Sequence, residues 1–468
     1  MMVWPARRAQ EDMPMKRSLM QPASMLEGPV MKNMLRFFIP IMLGTLLQQL
    51  YATVDAVILG RFVGKTALAA VGGSDIVLIN LIVGFFVALA SGASVVISQH
   101  AGAGEDELVS QSMHTALALS IVIGAVMTVA GVFVAPQFLS ALGTPQDTMQ
   151  YSVDYLRWYF AGMIPSMIYN MGGGILRAVG DSKRPLYFLI VCVAVNTVLD
   201  LLFVAVFRME VAGAAIATSL AQLVCAVLVL VTLVKMPGAY RLELSRLRFT
   251  RGLLGRMLYI GLPTVLQSMM YSVTNLFVQK AINLLGTDTV AAWSAFWKLD
   301  GAYWPISGAI GIAVMTFAGQ NYGARNRERI FKSIHAGLVL HLLFSLLLSC
   351  GMYFTRGFTI ALFNDDPGVI AQGMQIVAYL AFCYPLFTCT EVFSSAMRGV
   401  GDAVRPTLLT LLGICVLRMI ILFIVTIPHP SNITIALCYP VTWAAASSLF
   451  LIYYKSGHWM PSFSEKHA

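Results

Sequence analysis

The 468-residue chain predicts an all-α integral membrane protein, with twelve transmembrane helices in two six-helix lobes related by a parallel pseudo-two-fold repeat. Three observations predict it. Only 11% of residues are charged, 58% are hydrophobic and the mean hydropathy is +0.76, too apolar for a water-soluble domain of this length. Crossing about 30 Å of hydrocarbon takes about 20 mostly apolar helical residues. Runs of that kind begin near residues 34, 72, 112, 151, 185, 211, 252, 289, 333, 370, 406 and 433. Finally, two motifs are written twice. "RAVGDSKRP" at 177–185 returns as "RGVGDAVRP" at 398–406, and "QHAGA" at 99–103 returns as "QNYGA" at 320–324, both after the same interval, close to half the chain.

The elements follow in chain order. A polar tail, residues 1–33, carries Arg7, Arg8, Lys16, Arg17 and Lys32 but lacks the apolar core and cleavage site of a signal peptide. The N-lobe takes residues 34–234, a linker 235–251, the C-lobe 252–454 and a second tail 455–468. No connection is long enough for an appended enzyme or ATPase unit. Of the 31 Lys and Arg residues, 23 fall in the tails and in alternate connections, all on one side. Arg61, Lys65, Arg208 and Arg356 lie on the other side, and Arg157, Lys280, Lys298 and Arg418 fall inside spans. Such a bias places both termini in the cytoplasm of a multi-pass protein of the plasma (inner) membrane. The net charge of +9 therefore reflects topology and not nucleic acid. The seven cysteines lie in or beside apolar spans without CxxC spacing, which points to neither disulfides nor zinc.

Each copy of the nonapeptide joins two spans on the cytoplasmic side. Gly180 and Gly401 suit a left-handed helix stop, and Pro185 and Pro406 suit the first turn of the next helix. An even number of spans per half gives both halves the same orientation, hence a parallel repeat. Pro40 and Pro263 sit early in the first and seventh spans. Pro165 and Pro385 sit inside the fourth and tenth, where each kinks its helix.

Aspartates inside apolar spans are costly, so Asp55 and Asp200 are candidate functional residues; the alternative is hydrogen bonding within the lobe for packing alone. Asn196 lies four residues before Asp200 on the same helical face, so its amide can share whatever Asp200 holds. Hard oxygen ligands of this kind suit H⁺ or Na⁺, with Na⁺ at Asp55 and Asp200 the metal ion expected. In the eighth span, Trp293, Phe296, Trp297, Asp300, Tyr303 and Trp304 recur at helical spacing, which predicts five rings and one carboxylate on one face. An organic cation could stack there and be neutralised by Asp300. Alternatively the outer rings form an interfacial belt and Asp300 pairs with Lys280 or Arg418. Arg418 is expected to have a carboxylate partner, and Glu391 to sit at a solvated helix end with substrate gating as its second reading.

Two enzyme readings fail on context. "GRFVGKT" at 60–66 has Leu59 where a P-loop needs its first Gly, so no ATP site is expected. "GVGD" at 399–402 matches the GxGD of intramembrane aspartyl proteases, but Asp402 falls in a cytoplasmic turn and not opposite a second Asp.

In its motif order, its twelve spans and its repeat, the chain resembles the multidrug and toxic compound extrusion (MATE) family. The likeness runs from "LEGPVMKNMLRFFIP" at 26–40 through "QQLYATVDAVILGRFVGKTALAAVGG" at 48–73 to about residue 455. It implies an antiporter, not an enzyme, that uses H⁺ or Na⁺ and no cofactor to expel amphipathic, often cationic drug-like compounds by alternating access. The family's coupling carboxylate matches Asp55. Its continuation matches Asn196, Asp200 and Thr218, whereas the seventh span lacks the acidic residue that some relatives use. The substrate residues implied with lesser support are the aromatic stretch with Asp300, and Arg418. A flippase for lipid-linked saccharides, distantly related to this family, is the alternative; it needs cations in its cleft to hold a diphosphate.

Overall fold

The computed structural model describes residues 25–460 apart from 73 and 142, so Arg7, Arg8, Lys16, Arg17 and the last eight residues lie outside the described residues. Its helices are α1 (Val30–Phe62), α2 (Ser74–Ala103), α3 (Asp106–Ala141), α4 (Gln146–Ala161 with Met163–Ala178), α5 (Lys183–Val206) and α6 (Glu210–Lys235). The second half repeats them as α7 (Arg251–Asn283), α8 (Thr287–Gly323), α9 (Arg327–Ala361), α10 (Pro367–Gly399), α11 (Val404–Thr426) and α12 (Asn432–Ser456). A short helix, Lys65–Gly72, precedes α2, and the described residues contain no strand. The starts of α1, α3, α4 and α5 recur in α7, α9, α10 and α11 after the same interval that separates the repeated motifs.

Ten of these helices are long and apolar enough to cross a membrane. The two that fall short are α4, interrupted at Gly162, and α7, diluted by Gln267, Ser268, Ser272, Thr274, Asn275 and Gln279. Their repeat partners α10 and α1 both qualify. Large apolar side chains cover the outside of the bundle: Phe133, Phe354 and Ile424 are each more than two-thirds exposed, as a lipid-facing surface requires.

The repeated nonapeptides form matched turns. Gly180 and Gly401 take φ of +96° and +100°, and the following aspartate N–H reaches back to Leu176 O and Met397 O at 2.8 and 2.9 Å. Both close a helix in the left-handed manner that only glycine adopts without strain. Asp181 then accepts from the N–H groups of Lys183 and Arg184, starting α5. Asp402 instead accepts from the Tyr453 hydroxyl at 2.8 Å, with Arg405 3.8 Å away. Burial pushes the Asp402 carboxyl above its usual range, and the Tyr453 hydrogen bond opposes the shift. The proline kinks are also matched: α4 breaks at Gly162, three residues before Pro165, and α10 tightens to a 3₁₀ segment, Ala381–Phe387, around Pro385.

The cores divide by depth. At the end that carries the α6–α7 linker, the buried clusters mix the halves. Phe37 and Phe38 of α1 pack with Phe317 of α8, Ile334 of α9 and Val392 of α10, while Val96 and Ile97 of α2 pack with Met257 and Ile260 of α7. Toward the opposite end, each cluster is private to one half: Leu59, Phe86, Leu156 and Ala215 in the first, Val278, Trp293, Ile376 and Ile435 in the second. The halves are joined at the linker end and separate beyond it.

Candidate functional site

In the first half, α1 brings Asp55 to the end of α5. Asn196 and Asp200 are fully buried there, and Asn196 spans both acids: its amide nitrogen donates to Asp55 Oδ1 at 2.9 Å and to Asp200 Oδ2 at 3.0 Å. Thr218, on α6, accepts from the Tyr51 hydroxyl at 3.0 Å, and Tyr51 also lies beside Asp55. The two carboxyl groups lie within hydrogen-bond reach of each other, and Asp200 Oδ1 is buried without a donor among the described residues. Among the described residues neither carboxylate forms an ion pair. At Asp200 the α-helix gives way to a π segment, Leu201–Val206, a distortion often found at functional positions. All four residues expected from the sequence therefore converge. The arrangement can hold one small hard cation, H⁺ or Na⁺, between oxygens that have no fixed counter-charge. Sequence reasoning misses Tyr51, whose signal is its position one helical turn before Asp55.

The aromatic stretch of α8 corrects the expectation of one continuous face. The helix stops at Asp300 and restarts at Tyr303, so the rings divide into two groups. Trp293 is fully buried, donates Nε1 to Asn432 at 2.9 Å and packs edge-on against Phe296, which makes both part of the core of the second half. Trp297 lies 6.2 Å from Trp293, centroid to centroid, and is only partly covered. Beyond the break, Tyr303 stacks on Tyr384 at 4.2 Å, and Trp304, 38% exposed, meets Phe387 and Trp443. Asp300 pairs with neither Lys280 nor Arg418. It accepts from the Tyr384 hydroxyl at 2.6 Å and from Trp304 Nε1 at 2.7 Å. Tyr384 has no signal in the sequence beyond its place beside Pro385.

Two further expectations are corrected. Arg418, 3% exposed, has no carboxylate within ion-pair distance among the described residues: it donates to Thr442 Oγ1 at 3.2 Å, lies 4.5 Å above the Tyr439 ring, and leaves Nε unpaired. Glu391 is not at a solvated end. It is half-buried, accepts from Ser395 at 3.3 Å and lies so close to Gly311 of α8 that a Cβ there would overlap its carboxylate. Nearby, fully buried His341 contacts Ser307 at 2.9 Å and Thr388 at 3.0 Å, a polar network in the second half alone.

These features recur in known proteins. The family model MatE matches twice, over residues 40–202 and 263–424, in register with the two halves. Among curated proteins, the chain is 28% identical to "Probable multidrug resistance protein YpnP" of Bacillus subtilis (strain 168), over 94% of this chain and 98% of that protein. It is 23% identical to an "FAD transporter" of Shewanella oneidensis over 85% and 88%. Among solved structures, "Outward-facing conformation of a multidrug resistance MATE family transporter of the MOP superfamily" superposes with a TM-score of 0.86 at 22% identity, covering 93% of this chain and 98% of that one. With its two matched halves and its apolar spans, the chain belongs to the multidrug and toxic compound extrusion family of multi-pass membrane transporters, which are not enzymes.

Proposed function

We propose that the protein is a cation-coupled antiporter that exports amphipathic, often cationic drugs or toxic compounds by alternating access, driven by H⁺ or Na⁺. The observation that carries this reading is the pair Asp55 and Asp200, bridged by Asn196 and lacking any ion-pair partner among the described residues. Two ionised carboxylates in hydrocarbon repel each other and draw a cation, so occupied and empty states differ in how strongly α1 is held to α5 and α6. That difference in affinity is what an ion needs in order to drive a conformational equilibrium. The lobes at 34–234 and 252–454 supply the moving parts. The 23 Lys and Arg residues on the linker side support a cytoplasmic linker, cytoplasmic termini and a place in the inner membrane. The name of the Bacillus subtilis relative supports drug-like small molecules as cargo, and that of the Shewanella oneidensis relative points to a dinucleotide instead. Asp300, half-buried beside Trp304, is the residue offered to a cationic substrate.

One observation favours the flippase reading: Arg418 is a buried cation with no carboxylate partner among the described residues, as a diphosphate site would need. The acids Asp55, Asp200 and Asp300 weigh toward cationic cargo. Purified protein in vesicles, loaded with a fluorescent cation and given a pH gradient or a Na⁺ gradient separately, tests the proposal. Efflux in response to one gradient is expected. Flipping of labelled lipid-linked saccharide without gradient-dependent dye efflux would replace it.

A further inference from the structure

The two repeated motifs meet across the halves in the structure. Gln99, in the first "QHAGA" copy at the end of α2, donates Nε2 to the Gly399 carbonyl at 2.8 Å, and Gly399 ends α10 in the second nonapeptide. Gln320, in the second copy at the end of α8, donates Nε2 to the Ala178 carbonyl at 2.7 Å, and Ala178 ends α4 in the first nonapeptide. Gln320 is the repeat mate of Gln99, and Gly399 is the repeat mate of Ala178. The two bonds are one interaction written twice under the pseudo-two-fold axis.

Both carbonyls belong to the last turn of a helix, where no backbone N–H of the same helix remains to pair with them. Each half therefore caps a helix of the other. The glutamines are buried, 4% and 7% exposed, so neither amide is left to bulk water. Arg256 of α7 donates to Gln99 Oε1 at 2.9 Å and holds that amide in the donating orientation. The approach is backbone-close: a Cβ on Gly102 would overlap the Gln320 carbonyl, and one on Gly323 would overlap the Gln99 carbonyl. Glycine at both crossing points brings each glutamine within reach of the opposite helix end.

We infer that Gln99 and Gln320 form a reciprocal latch that holds the linker ends of the two halves together and must release when the cleft opens to that side. The inference rests on the alternating-access reading for its role in transport, but the latch itself is a statement about the closed state. Both bonds cross the plane along which the halves part, so a rigid-body separation breaks them together. The outer clusters are private to each half and are untouched by that movement. Each lost bond should change the closed-to-open ratio by roughly two- to tenfold.

The test uses the full chain in lipid nanodiscs, in a background with the native cysteines replaced. Spin labels go at Glu107 and Glu328, exposed repeat mates in the first turns of α3 and α9. Pulsed distance measurements on the parent should show mainly the short, closed separation. Gln99→Met with Gln320→Met keeps side-chain volume and removes both donors, and should enlarge the long-distance population. An unchanged distribution in a monodisperse double variant overturns the latch. Should the double variant not fold, Gly102→Ala, which wedges the same crossing, should give the same shift, and an unshifted distribution there overturns it equally. Gln320→Glu adds a reading that mere packing does not produce. A protonated carboxyl can donate to Ala178 O and an ionised one cannot, so this variant should close as pH falls and open as pH rises more steeply than the parent measured alongside; a pH response no different from the parent's counts against the latch. Gradient-driven efflux by the parent is measured separately, so its absence would sink the antiporter reading while leaving the distance result to stand or fall alone.

Discussion

The ends of α5 and α11 occupy matched places in the two halves, and both leave α-helical geometry there: Leu201–Val206 and Leu422–Thr426 are π segments whose first residues are repeat mates. Their chemistry is opposite. Before the first stands Asp200, beside Asp55, and before the second stands Ile421, with Arg418 one turn earlier; among the described residues neither Asp200 nor Arg418 has an ion-pair partner. At that point the distortion is shared and the charge is not, while α11 alone carries a further π segment, Leu411–Val416, where α5 stays α-helical. A duplicated scaffold has this distortion in both copies, while a buried acid stands directly before it in the first and an isoleucine in the second. In the second, a tethered guanidinium already supplies positive charge. On the proposed reading, coupling belongs to one half, and the other is free to serve cargo.

The largest effect that tests this asymmetry is loss of coupling. Asp55→Asn or Asp200→Asn should reduce gradient-driven efflux in vesicles to the leak rate, with the protein inserted at normal levels. The double variant should be no worse, because members of one unit are not additive. Gradient response surviving in both single variants would move the ion site elsewhere. Next, Asp300→Asn should weaken export of a cationic dye several-fold, and of a neutral compound little, since charge is what the change removes. Equal losses would make Asp300 a structural acceptor for Tyr384 and Trp304. Arg418→Gln should leave the gradient response within about twofold of the parent, as no carboxylate among the described residues pairs with it, and abolished coupling would refute the division between halves. The smallest effect is a pair of thermal shifts. Gly180→Ala and Gly401→Ala each place a Cβ at positive φ and should cost about 1 kcal/mol apiece in a melting assay. A cost in one half alone would show that the scaffold itself is unequal.

Hydropathy locates the starts of α1 to α12 to within six residues but misses the short helix Lys65–Gly72, and the lateness at α3 and α9 has a simple cause. Their first turns, "DELVSQ" and "RERIFK", are polar extensions at the linker end that an apolar window does not count but a helix still includes. The repeat is legible because glycine and proline mark turns by backbone geometry, and such needs survive in sequence. Asp55, Asn196 and Asp200 are legible because a carboxylate in hydrocarbon is conspicuous. The partners of Asp300 and Arg418 are not, since Tyr384 and Thr442 reach them from α10 and α12 through contacts that no local spacing encodes. The helix break after Asp300 is invisible as well: Gly301 there takes an ordinary helical φ of −57°, and the aromatic periodicity runs straight through it.

The mixed core at the linker end has a consequence for how the chain is made. Phe38 of α1 packs edge-on against Phe344 of α9, 5.2 Å between centroids, and the Met25 carbonyl accepts from Asn321 and Arg329. The linker end of α1 therefore cannot reach these neighbours in the second half until about 300 further residues exist, some 15–60 s later at ~5–20 residues per second. During that interval the buried face of α1 must rest against lipid, an insertase or provisional partners in its own half. Nascent chains arrested before α8 should expose that face to crosslinking by the insertion machinery, and chains arrested after α9 should withdraw it.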